Sequence, residues 1–317
     1  MIDQINHFYY KSPDGLYYYF DGRLRQHGNI GLLPLKFIED FGPNQNGSTV
    51  RDWRINPRTI TLDIFLQGEF CYDTRGEQLA KLIDIIRPNR GLRNDSPGYL
   101  GFYNDSMTVM EIPVYVLSGP TGDFMYSGSV GEFQVLDVVQ FYAPDPIWRE
   151  VRIRSEETDT ESESCLDACL GSSTLGVAGG LCLAATTYTN QSFNIEYTGT
   201  WDGDQIRITI DGPLFNVMIT NETIGKEIEL RYEIQPGEYV IIDISPETVT
   251  IVDNYGKNLI GSVTSISDLV DFVLKSPGEI TPTGLNVINV RGVSSDISTT
   301  NIRFDYYVRH ISAYGSP

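Results

Sequence analysis

The sequence predicts a mainly β protein with two domains, an N-terminal β-sandwich that contains one short α-helix and a C-terminal antiparallel β-sandwich. The chain has 317 residues, enough for two ordinary hydrophobic cores. Its 19 tyrosines and 14 phenylalanines favour strands over helices. Segments in which apolar and polar residues alternate recur through the chain, whereas the three-to-four-residue spacing of an amphipathic helix is convincing only once.

The first clear strand begins at Arg58 and continues to Leu66. Ile60, Ile64 and their alternate neighbours fall on one face, and Thr59, Asp63 and theirs fall on the other. This period of two predicts a strand with one buried face.

The single helix follows this strand. Thr74 and Glu77 form a capping-box pattern that predicts its start, and Pro88 predicts its end. Its predicted apolar stripe consists of Leu79, Leu82, Ile83 and Ile86.

Two further strands are predicted before the middle of the chain, over residues 112–117 and 133–142, with a turn or loop at 119–123. The second of these strands leads into a segment with two prolines, Pro144 and Pro146. Proline cannot donate a hydrogen bond to a β-ladder, so we expect the strand to stop there.

A change in composition predicts the domain boundary. Residues 155–164 are acidic and polar without an apolar side chain, which is typical of a solvated linker or loop, and residues 165–185 are rich in small residues. The predicted organisation is therefore an N-terminal domain at 1–154, a linker or loop at 155–190 and a C-terminal sandwich at 191–317.

The C-terminal half has the pattern of an antiparallel sandwich, because short strands follow one another with turn residues between them. Residues 265–274 are interpreted as a helical turn or a bent strand. The strands that we predict from alternation and turn signals cover residues 206–210, 228–234, 239–244, 249–252 and 302–308.

The charge distribution excludes an ordinary nucleic-acid-binding surface. The formal net charge is −19, with 13 basic and 19 acidic side chains in residues 1–150 and 10 and 23 in residues 151–317. Phosphate binding needs clustered Lys and Arg, which this sequence lacks. The absence of a long apolar stretch and of a basic, apolar N-terminal signal predicts a protein that folds in a cytoplasm, without a membrane partner.

Sequence motifs for metal binding and catalysis are absent. Cys165, Cys169 and Cys182 lack a fourth ligand or nearby histidine, so with Cys71 they are interpreted as free thiols or a disulfide rather than a zinc site. The three histidines show no arrangement with a nucleophile, and no nucleotide-binding or hydrolase motif is present. We therefore predict no catalytic residue, metal or cofactor.

One aromatic residue lies beside acidic residues in the C-terminal half. Trp201 precedes Asp202 and Asp204, a group that could stack on a sugar or hold Ca²⁺ weakly. The alternative is an ordinary surface turn between strands.

Several short motifs together resemble the distal tail protein family of tailed bacteriophages. In the N-terminal half they are a Pro57-Arg58 pair that opens an alternating strand, and an aromatic strand end followed by a proline corner, with Phe141, Pro144, Pro146 and Trp148. In the C-terminal half they are Asp211-Gly212-Pro213 with Asn216, and Pro277-Gly278 followed by Asn286.

This resemblance implies a structural role in a virion, at the tip of a phage tail. It implies a homohexameric ring built by the N-terminal domains, a galectin-like C-terminal sandwich, and a ring that joins the tail tube protein to a tip hub, a tail-associated lysin, fibres or receptor-binding proteins. DNA would pass through the channel without specific binding, and acidic residues facing the channel would keep it from adhering.

Two residues of these motifs have alternative interpretations. Arg58 is either a ring contact or an exposed charge at the start of a strand, and Trp148 is either an interface anchor or a core residue.

Three other functions are also compatible with this sequence. They are a baseplate component of a contractile particle, a carbohydrate-binding sandwich module with Trp201 as a glycan contact, and a glycan-degrading enzyme.

Overall fold

A computed structural model of the chain describes residues 7–20, 24–40, 48–67, 72–87, 96–103, 108–120, 125–126, 133–157, 187–246, 248–294 and 300–314. The chain divides into two compact units. Unit 1 contains residues 1–152 together with residues 309–317, and unit 2 contains residues 153–308. Unit 2 is thus inserted in the chain between two parts of unit 1.

The described residues of unit 1 form one helix and twelve strands. The helix α1 spans Tyr72–Ile86. The strands are β1 (His7–Lys11), β2 (Tyr17–Tyr19), β3 (Leu24–Gly28), β4 (Leu35–Asp40), β5 (Thr49–Ile55), β6 (Arg58–Gln67), β7 (Gly98–Tyr103), β8 (Val109–Ser118), β9 (Met125–Tyr126), β10 (Phe133–Ala143), β11 (Trp148–Glu150) and, at the far end of the chain, β21 (Arg309–His310).

The main sheet of unit 1 is antiparallel and runs in the order β2-β1-β7-β8-β10-β6-β3. Strand β8 pairs with β7 over Val109–Val114 and with β10 from Tyr115 onward, so it belongs to both halves of the sheet. The predicted strand at Arg58 is β6, and its alternation is confirmed because Ile60, Leu62 and Ile64 are buried. Strand β10 ends at Ala143, as the two following prolines predict.

The helix forms as predicted, but two details of the prediction are wrong. It begins at Tyr72, so Thr74 lies inside the first turn rather than at a cap. Ile83 is exposed and Ile85 is buried instead, so the buried stripe is Leu79, Leu82, Ile85 and Ile86. These residues belong to the core of unit 1, which fixes the orientation of the helix.

Unit 2 is a sandwich of two antiparallel sheets. One sheet has the order β12-β20-β14-β17-β18 and the other has the order β13-β19-β15-β16. The strands are β12 (Arg154–Glu157), β13 (Thr187–Glu196), β14 (Ile206–Asp211), β15 (Leu214–Asn221), β16 (Lys226–Ile234), β17 (Tyr239–Ile244), β18 (Val249–Asp253), β19 (Leu285–Ser294) and β20 (Ile302–Tyr306).

The alternation read from the C-terminal half predicts the core of unit 2 correctly. Ile206, Ile208 and Ile210 are fully or almost fully buried on β14, and Phe304 on β20 contacts Phe193 on β13 with ring centroids 4.6 Å apart. Residues 265–274 are neither a helix nor a strand; they form turns, with one isolated bridge from Leu274 to Gly203.

The predicted linker differs from the structure at its start. Ser155 and Glu157 lie in β12, which pairs with β20, so these residues belong to a strand with exposed side chains. Charged side chains on an edge strand discourage unwanted strand pairing. The rest of the segment to residue 186, and all four cysteines, lie outside the described residues, and the division at 1–154, 155–190 and 191–317 stays a prediction.

Candidate assembly surfaces

The motif residues at the predicted proline corner lie mostly in the core of unit 1. Phe141 and Trp148 are fully buried, and Phe141 contacts Tyr10 with ring centroids 5.2 Å apart. Pro146 is buried and Pro144 is exposed. Of the two interpretations of Trp148, the structure places this residue in the core, where it anchors the start of β11.

Arg58 is buried. The two interpretations of this residue, as a ring contact and as an exposed charge at the start of a strand, both require an exposed side chain and are therefore wrong. It retains 1% of its accessible surface, whereas the preceding Pro57 is exposed. Its guanidinium donates hydrogen bonds of 3.1 Å to the carbonyl oxygens of Asn29 and Ile311. Burial lowers the pKa of Arg58 to about 10. Arg58 therefore holds the C-terminal end of the chain against unit 1.

Further polar contacts fix the same C-terminal segment. Strand β21 pairs with β11, and the buried Arg309 donates to Asp145 at 2.6 Å. His310 lies 3.3 Å from Glu150, and both side chains are buried. Because a buried charge needs a partner, these contacts specify one position for the segment.

Trp201 lies in unit 2 beside a polar cluster that stabilises a turn. The neighbouring Asp202 accepts hydrogen bonds from Lys275 Nζ at 2.6 Å and from the backbone and hydroxyl of Ser276 at 2.9 Å. Burial alone would raise the pKa of Asp202, but these hydrogen bonds outweigh it and lower the pKa. The carboxylate is engaged by an ammonium group, which favours the interpretation of this segment as a structural turn.

Strands β4 and β5 form a separate two-stranded hairpin whose two faces are both exposed. A backbone hydrogen bond of 2.8 Å from Asn56 to Pro34 closes its base. The register pairs Phe37 with Trp53, and side chains directly opposite in a ladder share a face. The face that contains this pair is the apolar hairpin face, consisting of Leu35, Phe37, Val50 and Trp53.

The side chains of the apolar hairpin face are much more exposed than side chains that face a hydrophobic core. Phe37 and Trp53 are each 51% exposed, and Val50 is 52% exposed. Glu39 shares this face through its pairing with Val50, whereas Asp40 and Arg51 form an ion pair on the hairpin. Contiguous exposed apolar residues of this kind mark interaction sites on folded proteins.

A second distinctive surface covers the outer side of β2, β1, β7 and β11. We call it the tyrosine face, and it consists of Tyr9, Tyr17, Tyr19, Tyr99, Tyr103, Lys11 and Arg149. The inner side of the same strands carries core residues such as Phe8 and Leu100. The ammonium of Lys11 lies 5.6 and 5.8 Å from the rings of Tyr17 and Tyr99, and the guanidinium of Arg149 lies 4.9 Å from Tyr99.

Tyr9 forms the buried centre of the tyrosine face. Its ring centroid lies 5.4–5.9 Å from those of Tyr17, Tyr19 and Tyr103. Its hydroxyl donates a hydrogen bond to the buried Glu111 at 2.6 Å. Burial is the main cause that raises the pKa of Tyr9, and this hydrogen bond is the second. The ring lies over Gly101, where an added Cβ would come within 2.0 Å of it. The rings are thus held in place by packing and by a hydrogen bond.

Neither surface is evident in the sequence. The tyrosine face was visible only as a high tyrosine content, because Tyr17 and Tyr19 flank the core residue Tyr18 and hide the alternation of polarity. The hairpin has apolar residues on one side, but the sequence alone gives no reason to expect that side to be exposed.

Within the ranges that the structure describes, no group of His, Cys, Asp and Glu could hold a metal ion. The described helices are too short or too polar to cross a membrane.

No family model matches the sequence, and no curated protein matches it. Solved structures do match. The first is the SPP1 Dit (gp 19.1) protein, described as a paradigm of the hub adsorption apparatus in phages that infect Gram-positive bacteria, with a TM-score of 0.58 and 10% sequence identity over 95% of this chain and 98% of the other. This chain has the Dit fold. The resemblance predicted from the short motifs is therefore confirmed at the level of the fold, as is the mainly β class.

Two structures of the phage P2 baseplate in its activated conformation, with Ca and with Sr, also match. Their TM-scores are 0.47 and 0.44, at 13% and 12% identity, over 95% and 96% of this chain and 97% and 98% of the matched chains.

Proposed function

We propose that this chain is a distal tail protein, a structural subunit of a phage tail tip. The observation that carries the proposal is the likeness to SPP1 Dit, which extends over both units and almost the whole length of each chain. A partial likeness would be explained by a common sandwich domain, which many unrelated proteins share. A likeness that includes both units and their order along the chain is more specific.

In this proposal, copies of unit 1 form a homohexameric ring that surrounds the DNA channel. A ring forms when each copy binds the next through two different surfaces and the rotation closes. The apolar hairpin face supports such an assembly, because an exposed Phe37–Trp53 pair is poorly accommodated in water. Burial of this pair against a neighbour would contribute to ring stability.

In the proposed tail tip, unit 1 forms the ring and binds the tail tube protein. Unit 2 binds the tip hub, a tail-associated lysin, fibres or receptor-binding proteins. The net charge of −19 supports passage of DNA without specific binding, since like charges repel the phosphate backbone. The role is non-enzymatic, and the protein, made in the host cytoplasm, becomes part of the virion.

The experiment is to purify the full chain, measure its mass by size-exclusion chromatography with light scattering, and image it by negative-stain electron microscopy. We expect six-fold rings with a central channel and a mass near six times 35.6 kDa. A species that remains a monomer up to high micromolar concentration would refute the proposal. Binding to a glycan array by such a monomer would favour a carbohydrate-binding module instead.

A further inference from the structure

Unit 1 exposes two unlike surfaces, the apolar hairpin face and the tyrosine face. The first is a narrow two-stranded element exposed on both sides. The second is the outer side of a multistranded sheet, on which Tyr17 and Tyr19 keep 42% and 47% of their surface exposed. Tyrosine, tryptophan and arginine are enriched at the energetic centres of protein interfaces. The tyrosine face contains tyrosines and Arg149, and the apolar hairpin face contains Trp53.

We propose that the hairpin of one copy binds the tyrosine face of the next copy, and that this head-to-tail contact builds the ring. The inference rests on the proposed function and adds to it the two halves of the contact. A hairpin that bound another hairpin would give a closed two-fold dimer, because the same surface would be used on both sides. A ring of six copies needs two different surfaces, and unit 1 supplies two.

The chemistry of the two surfaces is complementary. The apolar hairpin face offers Phe37 and Trp53, and the tyrosine face offers aromatic rings held rigidly around Tyr9. Rigid aromatic residues lose little conformational entropy on binding. Aromatic pairs in offset or edge-to-face contact add to the free energy of burial.

The charges also match in sign. By the strand register, Glu39 shares the apolar hairpin face, whereas Arg51, which has no partner in the register at the bulge, is engaged in the ion pair with Asp40. The tyrosine face carries Lys11 and Arg149, and its acidic residue Glu111 is buried beneath Tyr9. An acidic residue on the incoming hairpin would therefore meet two cations, which favours one register of the contact.

The proposal is tested by complementation between two full-length variants. The hairpin variant carries Phe37→Lys and Trp53→Lys, which retain the tyrosine face but place cations opposite Lys11 and Arg149. The face variant carries Tyr17→Glu and Tyr19→Glu, which retain the hairpin but place acids opposite Glu39. All four positions are about half exposed, so the fold of unit 1 should tolerate the changes, and circular dichroism melts of each variant test this.

We expect each variant alone to need at least about 100-fold higher concentration than the wild type to assemble. Mixed together, they should form complexes that contain the two variants in equal number in native mass spectrometry, starting from a dimer of twice 35.6 kDa, because one intact hairpin and one intact face remain. The matched controls are Ile38→Lys, on the opposite side of the hairpin, and Tyr142→Glu, on β10. Both residues are exposed, and both variants should assemble like the wild type.

Two results would overturn the inference while leaving the proposed function intact. One is that the wild type forms rings while the mixture of the two variants stays monomeric. The other is a face variant that still assembles on its own. A wild-type chain that never assembles overturns the proposed function and this inference together.

Discussion

Replacing Arg58 with methionine keeps most of the apolar stem of this side chain and deletes the guanidinium. The two carbonyl oxygens of Asn29 and Ile311 then lose their donor. Hydrogen bonds to a charged group contribute about 1.5–3 kcal/mol each, so the gross loss is about 3–6 kcal/mol. Part of it is offset because an isolated cation is costly to bury, as its lowered pKa of about 10 indicates.

The net result should be a loss of about 2 kcal/mol in the free energy that holds the C-terminal segment against unit 1. Such a loss corresponds to about 30-fold more frequent opening. Hydrogen exchange followed by mass spectrometry measures this locally, at the Ala313 amide that donates to Ile30, while the amides of unit 2 serve as an internal reference.

The matched control is Arg207→Met. Arg207 pairs with Asp243 at 2.6 Å, but its side chain is 54% exposed. A surface ion pair contributes at most about 1 kcal/mol, so this variant should leave the exchange of residues 309–313 unchanged. If Arg58→Met exchanges at the wild-type rate or more slowly, the reasoning is refuted. The free-energy cost of burying the cation would then equal or exceed the stabilisation from its hydrogen bonds.

Three further predictions concern the two cores and the turn beside Trp201. Asp202→Asn should destabilise unit 2 by about 1 kcal/mol at pH 7, after allowance for solvent screening. Folding lowers the pKa of Asp202, so the ionised carboxylate stabilises the folded state above the unfolded pKa of 3.8, and this stabilisation disappears as pH falls through the folded pKa. Urea unfolding should therefore show wild type and variant to differ in stability at pH 7 but not at pH 2. Phe304→Ala, at a fully buried position, should cost about 3–5 kcal/mol in the same assay, and a cost below about 1 kcal/mol would contradict its place in the core. Gly101→Ala should destabilise unit 1 by about 3 kcal/mol because the new Cβ meets the ring of Tyr9; in a Tyr9→Ala background the same change should cost under about 1 kcal/mol, and equal costs in both backgrounds would disprove the contact.

The elements that sequence analysis predicted well are those whose pattern reports burial on one side. Strands β6, β14 and β16 alternate cleanly because one face meets a core and the other meets water. The helix was predicted in the same way, from apolar residues that recur every three or four positions. The prediction is wrong at Ile83 because this apolar residue lies beside the buried stripe and is exposed.

The features that sequence analysis missed depend on contacts between distant parts of the chain. Arg58 looks like an ordinary strand-start charge, and nothing near it in sequence announces the carbonyl of Ile311, 253 residues away. The return of Arg309 to unit 1 is hidden for the same reason, since its partner Asp145 lies on the other side of unit 2 in the chain. The apolar hairpin face was missed because an exposed apolar side and a buried one have the same sequence pattern.

The insertion of unit 2 between two parts of unit 1 sets an order for synthesis on the ribosome. Residues 153–308 emerge before β21 exists, so unit 2 can acquire all its strands while unit 1 still lacks its last one. Chains generally fold by domains as they are made. The bonds from Arg58 and Asp145 to the final segment then form last, and unit 1 is completed only after unit 2 has been translated in full.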